Sequence, residues 1–182
     1  MGTDTRRRGI GPPISVVKDV LFVVDLLAHD KGGAEDELEL SIQTTPFVAA
    51  DRWVLRGILM NVFLAVRPPR PGVGKVRIEV LAEGSLAIVR AASHERTLAP
   101  GDLRRLQEAL PVARESEKGL LVEAARLAAQ NGGEVAIESE RDRGTTVTIR
   151  LPLAATRPPR ESCGPASKES AWGTSSPTSP CA

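Results

Sequence analysis

The sequence predicts a two-layer α/β sandwich, in which a mixed and mostly antiparallel sheet carries its helices on one face. Three observations lead there. Five segments alternate apolar and polar residues with the period of a strand that buries one face, as in Leu38, Leu40 and Ile42 against Glu39 and Ser41. The segment 54–66 places Val54, Leu55, Ile58, Leu59, Val62, Phe63 and Val66 on one helical stripe. Read end to end, the elements run helix, strand, helix, strand, strand, helix, helix, strand, strand, and strands that alternate leave helices to cover a single side.

Residues 1–13, "MGTDTRRRGIGPP", combine Gly, Pro and charge without an apolar period and read as a disordered leader. Ser15 is placed to cap a helix over 15–29, where Val17, Val20, Leu21, Val24 and Leu27 recur at helical spacing and Gly32-Gly33 supplies the stop. Phe22, Val23 and Leu26 make this helix apolar nearly all round, so burial on more than one side is expected, within the domain or in a dimer or docking contact. The strand 37–43 follows, then the helix of the strong stripe, which Pro68-Pro69 ends because proline cannot continue the hydrogen-bond ladder.

Val76, Ile78 and Val80, then Leu86 and Ile88, form two strands joined through Glu83-Gly84-Ser85 as a hairpin. Asp102 sits near the start of a helix carrying Leu103, Leu106 and Leu110. A second helix turns Leu120, Leu121, Ala124, Leu127 and Ala128 inward and stops at Asn131-Gly132-Gly133. Val135–Ile137 and Val147–Leu151 close the sheet across the polar turn "SERDRGTT". From residue 155 the chain is rich in Pro, Ser and Gly and reads as a disordered tail, which leaves one domain over 14–154.

Composition excludes several function classes. Of 182 residues, 41% are hydrophobic and the net charge is +1, so no basic field steers the chain to nucleic acid. The absence of Tyr, with three Phe and two Trp, gives no stacking platform for single strands. Cys163 and Cys181 both fall in the tail with no partners at ligand spacing, so neither a metal site nor a disulfide framework is indicated. The run "VLFVVDLLA" is too short for the ~20 residues of a membrane span, and a cytoplasmic protein follows as the default expectation.

Three local sequences, in order, resemble the ATP-binding domain shared by sensor histidine kinases, gyrase, Hsp90-type chaperones and mismatch-repair ATPases, the GHKL or Bergerat fold. "VAADRWVLRGILMNVFLAV" looks like its N box, "EKGLLVEAARLAAQNGGEVAIES" is similar to its glycine-rich G2 segment and following helix, and "RGTTVTIRLPL" matches its closing strand. The resemblance implies a nucleotide pocket whose positions can be carried over one by one. The magnesium-holding second asparagine of the N box falls on Ala65, with only the first present as Asn61. The register of "IVRAASHERTLAPGDL" puts Ala91 in place of the adenine-reading aspartate of the G1 box, and Ser93 and Glu95 in place of its glycines. The G2 slot holds Lys118-Gly119-Leu120-Leu121, so Gly119 survives out of register. Thr145 or Thr146 stands where the closing-strand threonine meets the nucleotide site.

A methyl group cannot ligate magnesium, and a missing buried hydrogen bond costs ~1 to 3 kcal/mol. These departures lead to the expectation of a pseudo-histidine-kinase domain with a vestigial pocket. Such a domain would have no catalytic residues, no metal and no cofactor, would not bind Mg-ATP in the usual way and would be no enzyme. It would act through a protein partner in bacterial signalling (a response regulator, a kinase or a transcription-regulatory protein) or as a homodimer. Two other readings stay open: an active standalone kinase of the anti-sigma-factor type, and a histidine phosphotransfer protein, for which His29 closes too short a helix. "SHERTLAP", residues 93–100, is similar to the phosphoacceptor segment of sensor kinases. Its place after a strand, with Pro100 inside it, makes it the loop that replaces the G1 box and His94 an exposed loop residue.

Overall fold

The computed structural model describes residues 12–29, 37–68, 74–109 and 119–155. Residues 1–11 of the leader, the Gly32-Gly33 stop, Pro69, Leu110, Lys118 of the G2 slot and the tail from 156 with both cysteines lie outside the described residues. Two strands and a helix begin the domain: β1 (Ile14–Ser15), α1 (Val16–His29) and β2 (Glu37–Ile42). The remaining elements are β3 (Phe47–Val48), α2 (Arg52–Val66), β4 (Lys75–Glu83), β5 (Leu86–Ser93), α3 (Pro100–Ala109), α4 (Leu120–Gln130), β6 (Glu134–Glu140) and β7 (Gly144–Pro152).

The main sheet has the order β2-β4-β5-β7-β6, with β2 parallel to β4 and every other pair antiparallel. This is the predicted mixed sheet, and the described helices pack on one side of it. Val76, Ile78, Val80, Val89, Val147 and Ile149 bury their side chains in a single core with Leu55, Ile58, Leu59 and Val62 of α2. The other face is laced by ion pairs that follow the register. Arg77 Nη2 lies 3.0 Å from Glu39, Arg90 Nη1 lies 3.1 Å from Glu79, and Arg150 Nη1 lies 2.9 Å from Glu134. Leu81 and Ile88 face each other across β4 and β5 on this outer side and are nonetheless buried. Long arginine stems flank them and cover apolar surface while their heads stay wet.

Helix ends behave as their sequences dictate. Asp51 caps α2, accepting from the backbone N–H of Trp53 at 2.8 Å and of Val54 at 3.2 Å. Ser15 Oγ accepts from Lys18 N–H at 3.4 Å at the start of α1. The α4 stop uses Gly132 at φ 72°, and Gly133 N–H returns to the Ala128 carbonyl at 2.9 Å.

Two features go beyond the sequence expectation. The two-residue strands β1 and β3 pair with each other, and Val48 bridges to Leu153, so both ends of the domain are tied together by pairings too short to leave a period in the sequence. Helix α1 is buried on one side only: Val16, Val20, Val23 and Leu27 face inward, while Leu21, Phe22 and Leu26 are 46%, 42% and 48% exposed.

Candidate functional site

Of the positions singled out in the sequence, Ala91, Ser93, Thr145 and Thr146 lie where β5 leaves the sheet and β7 enters it. Alternation along β5 turns Ala91 and Ser93 toward the helix layer, and both are fully buried. Ala91 lies within the strand, opposite Ile78 and Val147, so its methyl packs in the core. The strand continues to Ser93, opposite Thr145, and Ser93 is therefore the last inward-facing side chain before the loop.

Thr145 is the hub of a hydrogen-bond chain. Its hydroxyl donates to the Arg96 carbonyl at 2.6 Å and lies 2.8 Å from Ser139 Oγ, which accepts from Leu98 N–H at 2.9 Å. Because Thr145 spends its only proton on Arg96, Ser139 must donate to Thr145, and the direction of the whole chain is fixed. Both of its ends are on the 93–99 loop. Such aligned chains polarise one another, and the buried hydroxyls are satisfied without water.

Three further contacts strap the same loop down. Arg96 Nη1 donates to the Arg67 carbonyl at 3.1 Å, placing a cation at the C-terminus of α2 where the helix dipole favours it. Thr97 Oγ1 reaches the Arg141 carbonyl at 3.5 Å, and Ser93 Oγ donates to Glu95 Oε2 at 3.3 Å. The Glu95 carboxyl rests on Gly74, where any Cβ would collide with it. Gly144, at φ 79°, passes so close to the Ser93 carbonyl and His94 Cα that only glycine fits.

Asn61 and Ala65 lie one turn apart in the C-terminal half of α2 and are half-buried, with Ala65 packed on the core. Helix α2 touches β5, β7 and α4, and Gly57 lets it approach Leu127 of α4 closely. Gly119 is exposed and occupies the N-cap of α4, where it has no side chain to accept from the first-turn N–H groups. In that turn, a hydrogen bond from Arg126 holds the Glu123 carboxyl below its ordinary range. Thr146 is half-buried on the outer face of β7 opposite Ala92, one residue out of step with Thr145. His94 is exposed and lies in the loop between the end of β5 and Pro100, where α3 begins.

The structure thus joins Ser93, Glu95 and Thr145 and adds Ser139, Arg96 and Gly74, which the sequence did not single out. Only one signal was available for them. Ser139 and Gly144 flank the polar turn between two recognisable strands, but their partners lie about 50 residues away in the chain.

No family model matches the sequence. Sporulation kinase D of Bacillus subtilis is 26% identical over 148 residues, a match covering 78% of this chain and 29% of that kinase. The catalytic domain of histidine kinase ThkA superposes with a TM-score of 0.64 at 14% identity, over 78% of this chain and 94% of that one. Full-length ShkA, solved in complex with AMPPNP, superposes at 0.59 with 25% identity over 79% of this chain and 31% of its own. The chain has the fold of the histidine-kinase ATP-binding domain.

These comparisons correct the expectation that the domain is no enzyme. The proteins it resembles are kinases, one of them represented by its catalytic domain. The departures at Ala65, Ala91, Ser93, Glu95 and Gly119 rest on the resemblance alone, and a departure from a motif is not a lost activity.

Proposed function

We propose that the chain works as a histidine-kinase-type ATP-binding domain in bacterial phosphotransfer signalling, and that it takes nucleotide without the usual magnesium contact. The observation that carries this reading is the superposition on histidine-kinase catalytic domains over 78% of the chain. On this reading Asn61 and the start of α4 at Gly119 meet the nucleotide, whereas Ser93 and Thr145, buried and bonded to the 93–99 loop, only hold that loop in place. The α4 N-terminus suits phosphate, because the first-turn N–H groups of a helix and its dipole favour negative charge. Ala65 offers no oxygen, so this position contributes nothing to holding magnesium. Response regulators, or a second kinase chain, are the partners this reading implies.

Calorimetric titration with ATP, with and without Mg2+, tests it. Binding is expected in both conditions with little difference between them, and Ala65→Asn should make binding Mg2+-dependent. Absence of ATP binding by the folded protein at millimolar nucleotide would overturn the proposal. Incubation with labelled ATP and a histidine-bearing kinase segment then reads phosphotransfer directly.

A further inference from the structure

The outer side of the helix layer carries an apolar strip that crosses two helices. Helices α1 and α2 run side by side in the same direction. Asp19 meets Arg52 and Arg56 near their starts, and Val24 and Leu27 share a hollow with Phe63 and Arg67 near their ends. Phe22 and Leu26 stand one turn apart on α1 and are 42% and 48% exposed. Trp53, Met60 and Leu64 stand at i, i+7 and i+11 on α2, with Trp53 74% and Leu64 37% exposed. One cation joins the two helices at this surface. The Arg56 guanidinium carbon lies 3.6 Å from the Phe22 ring centroid and 5.4 Å from that of Trp53. Arg56 Nε in turn donates to Asp19 Oδ1 at 2.7 Å, and Asp19 is buried. The two rings are therefore ordered before anything binds, and little freedom remains for them to lose.

The chain itself supplies an occupant. It leaves the described residues at position 155, beside the start of α1. Ala154 N–H donates to the Phe47 carbonyl at 2.8 Å, Phe47 pairs with Ser15, and α1 begins at Val16. Residues 156–182 contain no Val, Leu, Ile, Met or Phe, and Trp172 is the one large apolar side chain among them. Trp172 follows position 155 by 17 residues. A segment of that length spans roughly 55 Å when extended and about 20 to 25 Å on average. Phe22 and Leu26 lie only about 9 and 15 Å along α1 from Val16, well within this reach. We infer that Trp172 folds back onto the strip, with its indole seated against Phe22, Leu26 and Trp53. A buried indole takes roughly 150 to 250 Å² of surface out of water. The tether holds Trp172 at a millimolar-range local concentration, so so small a contact is populated without a second molecule. A separate partner would bear the translational cost that the tether removes, which selects the tail as occupant.

Nitroxide labelling tests this in the full chain, because the only cysteines, Cys163 and Cys181, each stand nine residues from Trp172. With a label on one cysteine and serine in place of the other, the amide signals of Phe22, Leu26 and Trp53 should lose most of their intensity. Those of β6, at the far edge of the sheet, should keep theirs. Trp172→Ala, a change outside the packed domain, should restore the lost signals. Leu26→Glu should do the same, with circular dichroism as the check that this exposed change leaves the fold intact. The losses should persist on dilution, because the contact is within one chain. Signals of the strip that stay sharp, broadening spread evenly over the surface, broadening that survives Trp172→Ala or a folded Leu26→Glu variant, or broadening that fades on dilution as tails exchanged between copies would make it, would each overturn the inference.

Discussion

Ser93, Thr145 and Ser139 are ordinary residues in the chain and become a unit only in space. A threonine near a strand end has a packing explanation by itself. Its hydroxyl acquires a role because the loop returns its own carbonyl and N–H to the same point. Gly144 is the residue on which this closure depends. Its φ of 79° is costly for any side chain, and a Cβ there would strike the Ser93 carbonyl. Gly144→Ala is therefore expected to destabilise the domain by about 2 kcal/mol or more, read from urea unfolding. A change within a few tenths of a kcal/mol would show that the turn can move away from the loop.

At the scale of elements, the approach of α2 to α4 shapes the site. Gly57 removes a side chain from the crossing, and a Cβ built on it comes 3.3 Å from Leu127 Cδ1. Leu127 is only half-buried, so it can give by the small distance required. Gly57→Ala should then stabilise the domain by up to about 1 kcal/mol through helix propensity. Gly57→Leu would instead wedge the helices apart at a cost of about 1 to 3 kcal/mol. Thermal unfolding of the two variants should move in opposite directions, and a loss of stability in both would mean that the crossing tolerates no Cβ. The α1 stripe belongs to the same scale. Helical spacing was readable in the sequence, but near-uniform apolarity pointed to burial on several sides. The structure buries one side and presents the other, because only one side meets α2 and the sheet.

For the molecule as a whole, one core joins α1, α2, α4 and the helix-facing side of the sheet. With no second core among the described residues, equilibrium unfolding should be a single transition. Far-UV circular dichroism and amide exchange in β5 and β7 are expected to coincide, as two-state behaviour requires. Separate transitions would divide the domain into independently folding parts. The 26% identity to a sporulation kinase spans only 29% of that protein, so the partners and substrates of a whole kinase attach to this chain as part of the proposal above.

The sequence by itself determined the layer architecture, the order of the long elements and the kinship of the fold. Those depend on local periods and punctuation, such as the stripe 54–66, Pro68, and the Asn131-Gly132-Gly133 stop. It also marked candidate positions through three motifs. Tertiary structure alone decided which of those positions lie together. Whether β5 ends at Ala91 or continues to Ser93 is set by pairing with β4 and β7. The pairing of β1 with β3, the strapping of the 93–99 loop and the exposed face of α1 are likewise fixed by contacts between residues distant in the chain. A period of 2 or 3.6 records which face a residue takes, and it carries no information about what that face will meet.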